Sequence, residues 1–234
     1  MKFLIINADD FGYGCGVNRA IAELHDQGVV TSASLMVNTP STAEAVAMAA
    51  ARPGLAVGLH VNFTNEAQRL VEFDDPAVCR RELRRQFDHF VALVGRPPTH
   101  LDSHQHVHRR PSCQPSFLEL AEEYGLPLRD RAPVTFKGGF YGQWEYGISE
   151  QAKVSFEALT SIVSTELRRG IYELAVHPGY LDAAADYVYH RDREWERETL
   201  ADPRLPALLR EQAVELISYR ELKRAVACLD GGAA

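Results

Sequence analysis

The stretch "FLIINADDFG", residues 3–12, places two acidic residues side by side where an apolar run gives out. "FLII" reads as a buried β-strand, and Asp9 and Asp10 follow it just ahead of Gly12. A turn explains that composition, because Asp and Asn are common at strand ends and Gly takes positive φ. A site explains it as well, with one carboxylate holding a cation and the other handling a proton. The choice depends on whether other strands deliver partners to the same end.

Strand-like runs recur through the chain, at residues 29–37, 55–63, 99–107, 126–129, 172–177 and 214–219. Amphipathic segments separate them. In "CRRELRRQFDHFVALVG" the apolar residues Leu83, Phe87, Phe90, Val91 and Val94 fall on one helical face. Ser41 with Glu44 three residues on reads as a capping box, opening a helix that stops near Pro53 and Gly54. Strands alternating with helices across short links indicate a parallel α/β architecture. About seven such units fit this length, so a distorted or incomplete (β/α) barrel is the first expectation, and an open doubly wound sheet the second. No repeat, low-complexity tract or linker divides the 234 residues, which predicts one domain over 1–234. Residues 133–155 break the alternation; rich in Gly and aromatics, they read as an insertion over one face.

Composition narrows the function classes. An apolar share of 46% and a charged share of 24% are those of a globular protein. A net charge of −7 argues against nucleic acid or an anionic membrane surface as partner. No stretch approaches the roughly 20 apolar residues of a membrane helix, and the opening run is too short for a signal-peptide core. Cys15, Cys79, Cys113 and Cys228 lie far apart with no C-x-x-C pair. They form neither a zinc knuckle nor a disulfide frame, which leads to an expectation of reduced cysteines in a cytoplasm.

The polar residues then fall into a pattern. His60 and Asn62 lie near the end of the third strand run, Asp102, His104, His106 and His108 on the fourth, and His177 ends "YELAVH" just before Pro178 and Gly179. In parallel α/β folds the carboxyl ends of the strands converge on one mouth. Asp9, Asp10, His60, His104 and His177 therefore share one predicted face. Taken singly, each has an ordinary reading. His25, His89 or His190 is a surface or helix residue, and His60 alone is a hydrogen-bonded core residue. Alternating histidines on a strand can bind metal adventitiously. Taken as a set, so many titratable groups at a buried strand end need a compensating ion. "GYGCG" (residues 12–16) imitates a dinucleotide fingerprint, but position 17 is Val, so its glycines are read as letting the backbone turn beneath the site.

In order along the chain, "NADDFG", "VTSASLMVN", "GLHVNFT", "PTHLDSHQHVH" and "HPGY" resemble the YdjC-like carbohydrate deacetylases. That family takes in chitooligosaccharide deacetylases and hopanoid-biosynthesis-associated proteins, and the likeness runs from the first strand to "ISYREL". The resemblance implies a barrel of the glycoside hydrolase/deacetylase type, one divalent metal ion, and hydrolysis of an N-acetyl group on an amino sugar or amino-sugar oligosaccharide. Carried over by motif, it implies Asp10, His60 and His104 as metal ligands, Asp9 as base and His177 as acid. His108, on the same strand face as His104, is an extra ligand candidate. One carboxylate with two imidazoles suits zinc, cobalt, nickel, iron or manganese, and magnesium where waters complete the shell. Magnesium is the metal usual in the family, so magnesium and zinc lead.

Asn38 and Asn62 are candidates to orient substrate, with ordinary polar roles as the alternative. Arg129 is a candidate to orient the base through a charged pair, or a surface salt bridge. Tyr141 and Trp144, with Phe140 and Tyr146, suit stacking on sugar faces or packing of the loop against the barrel. The expected partner is a small carbohydrate, with no nucleic acid and no membrane insertion; a homodimer is compatible with the sequence. Other readings are a phosphoesterase-like metal hydrolase on a related barrel, a mononuclear iron oxygenase, and a non-catalytic sugar-binding protein.

Overall fold

A computed structural model describes residues 1–65, 68–143, 145, 147–181 and 189–231. In chain order its elements are β1 (Lys2–Phe11), α1 (Cys15–Asp26), β2 (Ser32–Leu35), α2 (Thr42–Ala50), β3 (Ala56–Val61), β4 (Thr64–Asn65) and β5 (Gln68–Arg69). There follow α3 (Pro76–Val94), β6 (Leu101–Ser103), α4 (Gln114–Tyr124), β7 (Val134–Lys137), α5 (Phe156–Ser161) and β8 (Gly170–Val176). The chain ends with α6 (His190–Leu200), α7 (Leu205–Glu211), β9 (Val214–Leu216) and α8 (Leu222–Asp230). Seven strands form one parallel sheet in the order β6-β3-β2-β1-β8-β7, with β9 paired to the first residues of β1. β4 and β5 make a separate short hairpin. The curled sheet with its helices is the incomplete (β/α) barrel that the alternation predicts.

β1 lies at the centre, flanked by β2 and β8, and every residue from Phe3 to Phe11 is buried. A strand covered on both faces reads as a continuous apolar run for that reason. Its alternate residues enter two clusters. Leu4, Ile6 and Ala8 pack in the larger one with Val17, Ile21 and Leu24 of α1, while Phe3 and Ile5 pack with Ile171, Ile217 and Leu222.

The helix expected around residue 79 is α3. Asp75 caps it by accepting from Ala77 N at 2.8 Å, and Gly95 ends it at φ +77°. Leu83, Phe87 and Phe90 are its buried face; Val91 and Val94 are only partly covered. At the start of α2 the capping box does not form. Ser41 makes no side-chain cap, and Glu44 instead accepts from Asn18 Nδ2 at 2.8 Å. Among the described residues a capping box forms at Ser218 and Glu221.

The fourth strand is shorter than expected. β6 ends at Ser103, and His104–Arg109 is a 3₁₀ turn in which Gln105 and His106 have φ of 49° and 52°. The three histidines of "HQHVH" therefore do not alternate along an extended strand. The stretch 133–155 also begins inside the sheet, since Val134–Lys137 is β7 and pairs with β8. Cys79 and Cys113, far apart in sequence, meet with their sulfurs 2.8 Å apart, as free thiols. Among the described residues no helix is long and apolar enough to cross a membrane.

Candidate active site

Adjacent residues on a regular strand point to opposite faces, yet Asp9 and Asp10 line the same cavity. Asp10 makes this work. Its φ of +65° lies in the left-handed region, and the β1–β2 register shifts between Ala8 and Phe11, the mark of a bulge. Gly12 follows at φ +97°, where a Cβ would come within 2.9 Å of the Met36 carbonyl. The turn read into the glycines is real, and it lies against the site.

The cavity holds about 650 Å³. Asp9, Asp10, His60, His104 and His177 line it together, as the strand-end argument predicts, and Phe136, Phe140, Tyr141 and Tyr189 supply aromatic wall.

Beneath the cavity floor Arg129 organises the charge. Its guanidinium donates to both oxygens of Asp9, Nη1 to Oδ2 at 2.7 Å and Nη2 to Oδ1 at 2.6 Å. It also contacts Asp102 at 2.8 Å and Glu173 at 2.6 Å, and all four groups are buried. Burial would raise the Asp9 carboxyl; Arg129 outweighs it and holds Asp9 below the ordinary carboxylate range. Asp102 accepts from His60 Nδ1 at 2.7 Å and from Ser34 Oγ at 2.6 Å. That bond fixes the orientation of the His60 ring and turns its Nε2 toward Asp10 Oδ1, 3.2 Å away. Burial opposes charge on His60, but Asp102 and Asp9 overcome it and push the imidazole up to about 10.

Asp10 is held from the other side. Arg193 Nη2 donates to its Oδ2 at 2.5 Å. Burial again raises the carboxyl, and Arg193 and His60 bring it well below its usual value. His104 donates from Nδ1 to the Thr64 carbonyl at 3.0 Å. His177 Nε2 stands 3.8 Å from Asp9 Oδ2, and its Nδ1 stands 3.8 Å from Glu196. Burial, only partly offset by Asp9 and Asp10, lowers His177 to about 4.

Several expected site residues lie elsewhere. Asn38 donates to the Asn62 carbonyl at 3.1 Å, and Gln86 bonds the Asn62 main chain; neither asparagine lines the cavity. Arg129 does not line the cavity either, but it makes the charged pair with Asp9 that the sequence offers for orienting the base, and the pair is buried rather than on the surface. His108 packs with Nδ1 2.6 Å from Ser103 Oγ, off the cavity wall, while His106 lines it. The 3₁₀ turn exchanges the two, so the same-face argument for His108 fails. Tyr141 lines the cavity; Trp144 and Tyr146 lie outside the described residues.

The sequence reading missed α6. Its residues Asp192, Arg193 and Glu196 are buried ionisable groups that reach Gln143 and Ser149, Asp10 and the His177 main chain. A helix written "HRDREWERETL" has no apolar stripe to suggest burial, and only charge at i, i+1 and i+4 marks the face.

The sequence matches the family described as YdjC-like protein over residues 3–211. The chain belongs to the YdjC-like family. A carbohydrate deacetylase of Brevibacillus brevis is 35% identical over 94% of this chain and 99% of its own length. A chitooligosaccharide deacetylase of Serratia marcescens is 34% identical over 94% and 99%. A crystal structure of an Enterococcus faecalis protein superposes with a TM-score of 0.78 at 27% identity, covering 94% of this chain and 98% of the other.

Two sets of side chains in this YdjC-like protein offer themselves to a cation. Asp9, His60 and Asp102 present one ligand atom each, all within 4.8 Å of one another. In that set both Asp9 oxygens already accept from Arg129, and both Asp102 oxygens are engaged by His60, Ser34 and Arg129. The second set, the one that the resemblance implies, is Asp10, His60 and His104, which line the same cavity with the His60 and His104 ring centroids 5.9 Å apart. Asp10 Oδ1 is buried with no hydrogen bond among the described residues. Its 3.2 Å separation from His60 Nε2 suits two ligands sharing one ion, since metal–ligand bonds of about 2.1 Å put neighbouring donors about 3 Å apart. The oxygen without a hydrogen bond gives Asp10 an acceptor position that Asp9 and Asp102 lack.

Proposed function

We propose that this YdjC-like protein is a metal-dependent hydrolase that removes the N-acetyl group of an amino sugar or amino-sugar oligosaccharide. The observation that carries the reading is the convergence of Asp9, Asp10, His60, His104 and His177 on one cavity, with Asp10 Oδ1, which makes no hydrogen bond among the described residues, 3.2 Å from His60 Nε2. Relatives over almost the whole chain are named carbohydrate and chitooligosaccharide deacetylases, which supports the substrate class.

Asp10, His60 and His104 are the proposed ligands of one divalent ion, magnesium or zinc first. When bound, the ion supplies Lewis acidity to the acetyl carbonyl and to water. The chain does the remainder. Asp9 accepts the proton of the attacking water; Arg129 and Asn7, which donates to Asp9 Oδ1 at 2.8 Å, hold the carboxylate still. As the carbon–nitrogen bond breaks, the departing amine needs a proton, and His177 gives it. An imidazole lowered to about 4 is neutral near pH 7, so it must first gain that proton. Asp9 Oδ2, 3.8 Å from His177 Nε2 and carrying the proton taken from water, hands it over when the two groups close to hydrogen-bond distance. Water and amide become acetate and amine with the proton returned. Phe136, Phe140, Tyr141 and Tyr189 offer apolar rings to the sugar.

Mass spectrometry of short N-acetylglucosamine oligomers, incubated with protein and magnesium or zinc, tests the reading. Loss of an acetyl group, abolished by chelator, is the expected result. Cleavage of a glycosidic bond, or an unchanged oligomer with every metal, contradicts it.

A further inference from the structure

Asp192 has no place in the chemistry above, yet it is fully buried on the first turn of α6. Its Oδ2 accepts from Gln143 Nε2 at 2.9 Å and from Ser149 Oγ at 2.7 Å. Its Oδ1 lies buried without a hydrogen bond among the described residues, against Gly142, where a Cβ would meet it at 2.5 Å. Gly142 is therefore glycine because the carboxylate occupies its side-chain space. The Gly142 N–H in turn donates to the Tyr189 hydroxyl at 2.7 Å, and the Tyr189 ring stacks on Tyr141 with centroids 4.5 Å apart.

These contacts converge on one part of the cavity. Phe140, Tyr141 and Gln143 form that wall, and Tyr141 meets His177 edge-on at 5.1 Å. Phe140, Tyr141 and Gln143 lie outside the helices and strands, and Asp192 and Tyr189 tie this wall to the start of α6. A ring that stacks on a sugar gains affinity only if its position is fixed before binding, because ordering it on binding opposes association.

We propose that Asp192 is a positioning residue for substrate: it pins the wall of Phe140, Tyr141 and Gln143 to α6 and so sets affinity for the sugar, without taking part in the proton transfers. This rests on the carbohydrate reading of the cavity. Both donors share one oxygen, so the role needs an acceptor at Oδ2 and not a charge. Asn can supply that acceptor with its amide nitrogen in the place of Oδ1.

The test compares the wild type with Asp192→Ala, Asp192→Asn and Gly142→Ala, each loaded with metal. The measurements are calorimetric affinity for an N-acetylglucosamine oligomer, KM and kcat for its deacetylation, and turnover of 4-nitrophenyl acetate, which is too small to span the wall. The expected result for Asp192→Ala is a rise in oligomer Kd and KM of about tenfold with kcat within about threefold, the signature of lost uniform binding. Turnover of the small ester stays unchanged, and Asp192→Asn stays near wild type. Gly142→Ala, which pushes the wall off an intact Asp192, weakens oligomer binding as well, and decides the matter if Asp192→Ala does not fold. Unchanged oligomer affinity, a fall in kcat alone, an equal loss on the ester, or failure of Asp192→Asn to restore binding overturns the proposal. A wild type that binds no oligomer overturns it too, together with the carbohydrate reading. A wild type that binds the oligomer but does not deacetylate it contradicts only the proposed reaction.

Discussion

Asp10 shows how much one backbone angle can decide. At φ +65° it turns its carboxylate to the same mouth as Asp9, and Arg193 leaves it one oxygen to offer. The two carboxylates then divide: Asp9 accepts from Arg129 on both oxygens and keeps room at Oδ2 for a proton, and Asp10 Oδ1 makes no hydrogen bond among the described residues. Asp9→Asn is expected to keep bound metal and lose about 10²–10⁴-fold in kcat, the range of a positioned base; kinetics beside metal content checks this. His177→Ala should lose a similar factor on the N-acetyl sugar and little on an activated ester, whose leaving group needs no proton. Equal losses on both substrates would remove His177 from the acid role. Arg129→Met leaves Asp9 and Asp102 buried without their cation, and should destabilise the fold by about 3–5 kcal/mol in urea titration. At this scale the strand-end rule found Asp9, Asp10, His60, His104 and His177, because all five lie on strand ends or the residue beyond. It could not find Arg193 or Tyr189, whose reach into the cavity depends on where α6 docks.

Elements show where local pattern stops informing. α3 was legible because its apolar residues repeat at helical spacing along the stretch that ends at Gly95. The histidine run was not, since alternation on paper fits a strand and a 3₁₀ turn alike, and only Gln105 and His106 at positive φ separate them. One buried glycine on β3 fixes how that strand meets β6. A Cβ on Gly58 would stand 2.4 Å from the His100 ring. That ring cannot step aside: it stacks on Tyr219 at 3.9 Å, and its nitrogens lie 3.0 Å from Ser34 Oγ and 2.9 Å from Thr99 Oγ1. Gly58→Ala should cost about 1–3 kcal/mol by overpacking. It should also disturb His60 through Ser34 and Asp102, so a shift of the urea midpoint accompanied by weaker metal binding is expected. A variant as stable as wild type would show that His100 has room.

Across the whole molecule the buried titratable groups set how stability depends on pH. Burial is the chief cause that holds His100 to about 4, His106 to about 3, His108 to about 4 and His177 to about 4. Between pH 4 and 6.5 the unfolded chain binds protons at these positions that the folded chain refuses, so stability rises with pH across that window. Each group contributes a slope of about 1.4 kcal/mol per pH unit. Glu196, raised to about 8 mainly by burial, and His60, raised to about 10, act in the opposite sense. The folded chain keeps their protons longer, and their contribution is lost as pH climbs through those values. Chelated protein should therefore be most stable near pH 6.5, which chemical denaturation across pH 4–10 can read; a flat profile would contradict the assignments. The central claim is that Asp10, His60 and His104 hold the metal, and elemental analysis of purified variants tests it most directly. Wild type, Asp9→Asn and His108→Ala are expected to carry about one equivalent of divalent metal, and Asp10→Ala, His60→Ala and His104→Ala to carry almost none while remaining folded. Full occupancy in His104→Ala, or loss of the ion in Asp9→Asn, would contradict the account, the latter by moving the ion to Asp9, His60 and Asp102.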